Sequence, residues 1–170
     1  MYNKKVMYID MDGVLVDTVP TICTKFGINI ADWPRGVYTI HKATGYWPKD
    51  FFDMSSEAWV NLPKTSFADS IMNYCWDNFD CYILSSAVPS AMEAKVKWLH
   101  KHYEYVPETK IIFAWQKELL AREGHILVDD CEQNCFLWDK AGGRSVIVPQ
   151  PWNWSNIDLC KVLPTLYLEK

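Results

Sequence analysis

Acidic, hydroxyl and lysine side chains stand at four points of this 170-residue chain, each just after a short apolar run. These residues are Asp10 and Asp12, Ser85 and Ser86, Lys117, and Asp129 with Asp130. Carboxylates brought close together repel one another and resist ionisation unless a cation lies among them, and hard oxygen ligands favour Mg²⁺. A metal with a lysine and hydroxyl donors suits a phosphate dianion, whose charge must be neutralised before a nucleophile approaches. The residue types therefore predict a magnesium site and phosphoryl-transfer chemistry.

Taken singly, each of these residues has a plainer explanation. An Asp pair after a strand is often turn and cap chemistry, which would account for Asp10 and Asp12. Asp129 and Asp130 can cap the next helix, and a lone Lys117 is most often a solvated surface charge. Their joint occurrence, in order and each at the end of an apolar run, favours the functional interpretation because turn chemistry alone would seldom produce it.

The apolar runs are predicted to be the strands that position these residues. Their type, apolar and rich in β-branched and aromatic residues, is that of buried strands. They cover 5–10, 79–84, 110–114, 125–128 and 145–148. Ligands of parallel sheets bind beyond the carboxyl ends of the strands, which is where the polar residues fall.

Helical patterns separate the predicted strands, at 17–26, 66–76, from 89, near 118–122 and from 132. Asp17 is predicted to cap the first helix. The helix from 89 is predicted to place Met92, Val96, Leu99 and His100 on one face. Because parallel strands need crossover connections that are usually helices, the alternation predicts an α/β fold with a parallel sheet covered on both faces.

Residues 27–65 differ from the rest of the chain, because Pro and Gly punctuate short segments rich in Trp, Tyr and Phe. They are predicted to form a small inserted cap, with 1–26 and 66–170 as the core domain. Two or three of the cap rings are needed for the cap's own core, and others are predicted to line a concave site. The PQPWNW stretch at 149–154 could fold over the rim of that site or anchor a final helix.

Length and composition limit the remaining possibilities. The length predicts one domain, and the formal charge of −4 offers no basic footprint for wrapping a nucleic acid duplex. The six cysteines form no CxxC pair and are predicted to be reduced. No apolar stretch approaches the length of a membrane span, so a cytoplasmic protein without a membrane partner is expected. The sequence leaves a homodimer open.

Over most of its length the chain resembles the haloacid dehalogenase (HAD) superfamily of phosphohydrolases. The stretch DMDGV at 10–14 resembles the first motif, Leu84-Ser85 the second, Lys117 the third, and LVDD at 127–130 the fourth. This resemblance implies a Rossmann-like HAD fold with the cap inserted after the first strand-helix unit.

The same resemblance implies a role for each site residue. Asp10 would be the nucleophile that forms an aspartyl-phosphate, and Asp12 the acid that protonates the leaving alcohol and then activates water. Ser85 and Lys117 would hold the transferring phosphoryl group. Magnesium would be held by Asp10, the Asp12 main-chain carbonyl and Asp130, with Asp129 acting through water and the last two roles interchangeable.

Four stretches look similar to the 5'(3')-deoxyribonucleotidases: DMDGVLVD at 10–17, YILSSA at 82–87, WQK at 115–117 and ILVDD at 126–130. This similarity implies that Ser86 is a second hydroxyl contact to the phosphate and that cap aromatics sandwich a nucleobase. The candidate rings are Phe26, Trp33, Tyr38, Tyr46, Trp47, Phe51, Phe52 and Trp59. Among these, Phe26, Trp47 and Trp59 are the predicted substrate contacts.

The expected activity is magnesium-dependent hydrolysis of nucleoside monophosphates, deoxyribonucleotides first. A general acid in the first motif favours phosphate ester hydrolysis, because a phosphatase must expel an alkoxide. Phosphomutases share both acids, so transfer to a sugar acceptor stays open. The alternatives are a phosphatase for a sugar phosphate or another small metabolite, a polynucleotide 3'-phosphatase, and a noncatalytic nucleotide-binding protein. The negative charge counts against the polynucleotide substrate.

Overall fold

A five-stranded, all-parallel sheet forms the centre of the computed structural model, which describes residues 5–38, 42–43, 45 and 56–168. The strands are β1 (Val6–Ile9), β2 (Asp80–Ser85), β3 (Ile111–Phe113), β4 (His125–Asp129) and β5 (Arg144–Ile147). Their order in the sheet is β3-β2-β1-β4-β5. All five strands were predicted, and their ends differ from the prediction by at most one residue.

The described helices are α1 (Thr18–Phe26), α2 (Ser56–Val60), α3 (Ala68–Asn78), α4 (Pro89–His102), α5 (Glu132–Lys140) and α6 (Leu159–Leu168). Short 3₁₀ turns occur at Ile30–Asp32, Glu108–Lys110 and Lys117–Leu120. The last of these corrects the prediction of a helix near 118–122. The backbone there closes bonds between residues three apart, such as the one from the Ala121 N–H to the Glu118 carbonyl, as a 3₁₀ turn does.

Asp17 occupies the N-cap position of α1, but within the described residues its side chain makes no cap hydrogen bond. Its backbone angles, φ −81° and ψ 65°, lie outside the extended region from which a cap side chain reaches the first free N–H groups. The Asp17 N–H instead donates to the carbonyl of Pro63. The predicted side-chain cap is therefore wrong, although the predicted helix is present.

Apolar side chains cover both faces of the sheet, as an α/β fold requires. On one face Met7 and Ile9 of β1 belong to a core shared with α3, α4 and α6. On the other face Tyr8 packs with Leu127 of β4 and with Trp138 of α5. This arrangement confirms the predicted fold class.

The buried face of α4 is not the predicted one. Of the four residues predicted to share that face, Leu99 is buried, whereas Met92, Val96 and His100 are only half-buried. The buried residues of the helix are Ala91, Ala94, Lys95, Trp98 and Leu99. Trp98 and Leu99 supply most of the apolar surface, so the helix is rotated relative to the prediction and brings a lysine inward.

The strand order changes direction at β1, because the chain fills one side of the sheet with β2 and β3 before it crosses to β4 and β5. Ile9 pairs with Ile83 of β2 on one side and with Val128 of β4 on the other. The residues that follow these three positions therefore lie side by side. Open α/β sheets bind ligands beyond the carboxyl ends of the strands at such a switch point.

The described part of residues 27–65 contacts the core at several places. Val16 forms isolated backbone bridges with Asp12 and with Lys64, so the chain enters and leaves this insertion side by side. Trp33 packs with Cys23 of α1 and with Trp152. Among the described residues, no helix is both long and apolar enough to cross a lipid bilayer.

Candidate active site

Three buried carboxylates meet where β1 and β4 end. Asp10 follows β1, Asp129 is the last residue of β4, and Asp130 comes next. Oxygen atoms of the three side chains lie within 4.8 Å of one another. The Asp10 N–H donates to the Val128 carbonyl at 2.9 Å, which continues the parallel pairing of β1 with β4. The sheet itself therefore brings these acids together, as their positions in the sequence predicted.

Lys117 is the cation that touches this carboxylate cluster. Its Nζ lies 2.8 Å from Asp10 Oδ1 and 2.7 Å from Asp129 Oδ2, and the side chain is 2% exposed. Burial alone would lower the pKa of Lys117, but the two carboxylates outweigh it and raise that pKa. Asp129 also accepts hydrogen bonds from the Cys131 N–H at 2.8 Å and from the Asn134 amide at 3.1 Å. Lys117 is therefore a permanently charged partner of Asp10 and Asp129.

One ammonium group does not balance three buried carboxylates. Burial raises the pKa of Asp10 to about 6, with Asp129 and Asp12 adding to the rise and Lys117 opposing it. Burial, with the charges of Asp129 and Asp10, also raises the pKa of Asp130 well above its usual range. A divalent cation removes this repulsion, and hard oxygen donors of this kind suit Mg²⁺. The residues present therefore fit a magnesium ion.

Asp130 is enclosed by a glycine and by the segment after β5. Gly13 has a φ of +74°, and a Cβ at that position would lie 2.5 Å from Asp130 Oδ2. Only glycine combines that backbone conformation with so close an approach. The Trp152 indole N–H donates to Asp130 Oδ2, and the Gln150 side-chain amide donates to the Gly13 carbonyl. The sequence left two roles open for 149–154, covering the rim of the site or anchoring the final helix. These contacts place the segment at the site.

Asp12 lies outside the buried cluster, with its side chain 38% exposed. Its Oδ1 accepts a hydrogen bond from the Thr18 hydroxyl at 2.8 Å, and its Oδ2 is 2.5 Å from Lys95 Nζ. Lys95 Nζ also donates to Ser85 Oγ and to the Ser86 carbonyl, both at 2.8 Å. The ammonium group of Lys95 thus uses all three of its donors among residues predicted to handle the phosphate.

Lys95 was not among the predicted site residues, although one signal for it existed. It lies on α4 four residues after Ala91 and three before Trp98, and all three are buried. A lysine at that spacing from apolar residues faces inward, whereas Lys97 lies on the exposed side and pairs with Glu93. The apolar face of this helix was predicted on a different side, so that signal was missed.

The two serines at the end of β2 differ in what their hydroxyls contact. Ser85 Oγ accepts from Lys95, and its own proton makes only a long contact of 3.5 Å with the Ser86 carbonyl, so that proton can turn to a ligand in the cleft. The Ser86 hydroxyl donates to the Ala114 carbonyl at 3.1 Å, which links β2 to the end of β3. Ser85 is therefore the stronger candidate for a phosphate donor, and Ser86 would have to rotate to donate.

These groups open into a single cleft of about 670 Å³ formed by described residues. Its polar lining includes Asp10, Asp12, Ser85, Ser86, Lys95, Lys117 and Asp130. Its aromatic lining consists of Trp33, Tyr38, Trp59, Trp115 and Trp152. A cleft of this size, apolar with a cluster of polar groups, is suited to a small organic ligand rather than to an ion alone.

The predicted aromatic contacts differ in where they lie. Trp59 lines the cleft and also belongs to the main core. Phe26 ends α1 and is not among the described residues that line the cleft, so the structure lends its predicted role no support. Trp47 lies outside the described residues, as do Tyr46, Phe51 and Phe52. Trp115, which is 69% exposed, and Trp152 are lining residues that the sequence did not single out.

Comparison with known proteins agrees with this geometry. Residues 80–162, just under half of the chain, match the family model described as 5' nucleotidase, deoxy (pyrimidine), cytosolic type C protein. The 5'(3')-deoxyribonucleotidase of Bacillus subtilis is 22% identical over 158 residues, which span 88% of this chain and 88% of that protein. The chain is a phosphatase that resembles the 5'(3')-deoxyribonucleotidases. The matched region contains the second, third and fourth motifs, and the first motif lies before it.

Solved structures show that this phosphatase has the HAD fold. A HAD family hydrolase from Deinococcus radiodurans has a TM-score of 0.52 at 16% identity, over 98% of this chain and 89% of that one. A HAD family enzyme from Bacteroides thetaiotaomicron, crystallised as a magnesium complex, has a TM-score of 0.50 at 16% identity over 94% and 99% of the two chains. Both likenesses confirm the predicted architecture.

Proposed function

We propose that this phosphatase is a magnesium-dependent phosphomonoesterase that hydrolyses nucleoside monophosphates through an aspartyl-phosphate on Asp10. The observation that carries the proposal is the buried cluster of Asp10, Asp129 and Asp130 at the floor of an aromatic cleft. Its cation would be held by Asp10, Asp130 and the Asp12 main-chain carbonyl, with Asp129 in support. When bound, Mg²⁺ neutralises charge on the phosphate that faces Asp10.

In the first step, a carboxylate oxygen of Asp10 forms a bond to phosphorus while the bond from phosphorus to the ester oxygen breaks. Asp12, carrying a proton, gives it to the leaving alkoxide. Ser85 and Lys117 can donate hydrogen bonds to the oxygens of the phosphoryl group as charge develops, while Lys95 holds Ser85 and Asp12 in place. The products of this step are a free alcohol and the aspartyl-phosphate.

In the second step, Asp12 accepts a proton from a water molecule whose oxygen attacks phosphorus. The bond from phosphorus to Asp10 breaks and inorganic phosphate leaves. Lys117 remains beside Asp10 and stabilises the carboxylate that is regenerated. Asp12 suits this double task because Thr18 and Lys95 fix its orientation while its side chain stays open to water.

The aromatic lining supports a nucleotide substrate over a sugar phosphate. Flat rings stack on any nucleobase, whereas a sugar needs more polar contacts than this lining offers. Trp33, Tyr38 and Trp59 all come from residues 27–65, which we propose to be an inserted cap. The Tyr38 hydroxyl donates to Glu132 at 3.0 Å, so this part of the insertion is fixed against α5. The named activity of the Bacillus subtilis relative favours deoxyribonucleotides.

Phosphate release from a panel of esters tests the proposal. The panel contains 5'- and 3'-(deoxy)nucleoside monophosphates, sugar phosphates and 3'-phosphorylated oligonucleotides, each with and without Mg²⁺. We expect release from mononucleotides that requires Mg²⁺ and falls by about 10³-fold or more in Asp10→Asn, because the nucleophile is lost. Release confined to sugar phosphates or oligonucleotides would refute the nucleotide substrate, and binding of nucleotides without any release would refute the enzymatic role.

A further inference from the structure

The segment after β5 forms a turn that one buried side chain, Asn153, holds together. The Asn153 side-chain oxygen accepts from the backbone N–H groups of Gln150 at 3.2 Å and Ser155 at 3.0 Å. Its amide nitrogen donates to the carbonyl oxygens of Asp130 and Val148, both at 2.8 Å. An asparagine side chain offers two donor hydrogens and two acceptor sites. Asn153 uses all four, so the turn is fastened to the backbone at Asp130.

The turn presents Trp152 to the Asp130 carboxylate. Trp152 is 2% exposed, and its indole N–H donates to Asp130 Oδ2. An N–H donor stabilises the charged form of a carboxylate, which is the form that binds a cation. A donor bound to one carboxylate oxygen also fixes the orientation of the other oxygen.

Trp152 also contacts the insertion that supplies the aromatic lining of the cleft. Its carbonyl accepts a hydrogen bond from the Gly36 N–H at 2.7 Å. The rings of Trp152 and Trp33 lie 6.4 Å apart at their centroids, with an angle of 57° between their planes. One residue therefore supports both a carboxylate of the buried cluster and the loop that carries a wall of the cleft.

We infer that Trp152 is a positioning residue of the metal site, which orients Asp130 for the cation through its indole N–H. This inference rests on the proposed function, since it takes Asp130 as a ligand of Mg²⁺. Hydrogen bonds to ligand side chains of this kind commonly change metal affinity by about 10- to 100-fold. The Trp152 contact differs from the contacts of Lys117, which touches Asp10 and Asp129 instead.

Isothermal titration of the full chain with Mg²⁺, in the absence of any substrate, tests this inference. We expect Trp152→Phe to bind Mg²⁺ about tenfold more weakly than the wild type, because the donor to Asp130 is lost. Trp154→Phe is the matched control, since Trp154 lies in the same segment with its side chain 60% exposed. The control is expected to bind Mg²⁺ as the wild type does.

Phenylalanine also leaves space around position 152, so a second variant separates the hydrogen bond from packing. Benzothienylalanine at this position keeps the bicyclic shape of the indole and replaces its N–H with sulfur. We expect it to lose the same tenfold in Mg²⁺ affinity while its thermal unfolding without metal stays close to that of the wild type.

Wild-type Mg²⁺ affinity in the folded benzothienylalanine variant would overturn the inference, because packing alone would then explain any loss in Trp152→Phe. A wild-type chain that binds no Mg²⁺ would show that the proposed metal site is wrong, and the inference would fall with it. A wild-type chain that binds Mg²⁺ but hydrolyses no nucleotide would refute the proposed substrate only, and a loss in both variants would still support the role of Trp152.

Discussion

The cleft has two halves that balance charge in different ways. The inner half comprises Asp10, Asp129, Asp130 and Lys117, where three buried carboxylates share one ammonium group. The outer half comprises Asp12, Thr18, Ser85 and Lys95, where one carboxylate faces one ammonium group and stays partly exposed. The inner carboxylates lie at strand ends and Lys117 begins the 3₁₀ turn after β3, whereas the outer half is built on a loop, two helices and the end of β2.

The different charge balance suits the two halves to different chemical tasks. Buried like charges are costly until a cation joins them, so the inner half is suited to holding a metal and a phosphate. A balanced pair in contact with water costs little to break, so the outer half is suited to passing protons. The expectations below test this division, in order of decreasing effect.

The largest expected effect distinguishes the roles of Asp12 and Asp10 by comparing esters that differ in their leaving group. Asp12→Asn should slow hydrolysis of nucleoside monophosphates by about 10²- to 10⁴-fold, because an alkoxide needs a proton to leave. With p-nitrophenyl phosphate the leaving group needs no proton, so the variant should release one equivalent of nitrophenol in a burst and then stall. Asp10→Asn should show neither burst nor turnover. Stopped-flow absorbance measures both, and equal losses on the two esters in Asp12→Asn would contradict its role as an acid.

The two lysines should differ in their effect on folding. Lys117→Met leaves Asp129 without its ion-pair partner at a fully buried site, and we expect the free energy of unfolding to fall by about 3–5 kcal/mol. Lys95→Met leaves Asp12 open to water, and we expect a loss of about 1 kcal/mol. Urea denaturation without Mg²⁺ measures both losses. Equal losses for the two variants would contradict the division into halves.

The metal-free protein should become more stable as the pH falls from 7 to 5. The folded chain holds the pKa of Asp10 at about 6, above its unfolded value, so folding strengthens proton binding and acid stabilises the folded state. The effect is complete near the unfolded pKa of about 4, and a two-unit rise amounts to at most about 3 kcal/mol. In Asp10→Asn this part of the pH dependence should vanish.

Thermal unfolding in a chelator at several pH values checks this expectation. Saturating Mg²⁺ is the control condition, since a bound cation should reverse the trend by favouring the ionised carboxylates. If the wild type and Asp10→Asn show the same pH dependence, folding does not raise the pKa of Asp10 in the metal-free protein and the expectation is wrong.

The strand ends could be predicted from the sequence, whereas the contacts made across the sheet could not. Asp10, Ser85 and Asp129 each end a short apolar run, and parallel pairing then forces them together. Lys95 differs from Lys97 in the sequence only by its spacing from Ala91 and Trp98, and the wrong prediction for the apolar face of α4 hid that difference. Phe26 was predicted from the resemblance to contact a nucleobase, yet it ends α1 and is not among the described residues that line the cleft.

Trp152 illustrates a second limit of sequence patterns. Its role depends on a hydrogen bond to a residue 22 positions earlier, and no periodicity connects the two. The Gln150 contact with Gly13 spans 137 positions. Such contacts follow from the completed fold, so a single sequence offers only the unusual composition of the segment as a signal.

The position of that segment in the chain has a consequence for synthesis on the ribosome. Domains begin to fold as their N-terminal parts emerge. All five strands precede the turn that holds Asp130 and Gly13, so the sheet can assemble while the cleft still lacks its last support. We therefore expect the proposed metal site to be completed after the sheet on which it is built.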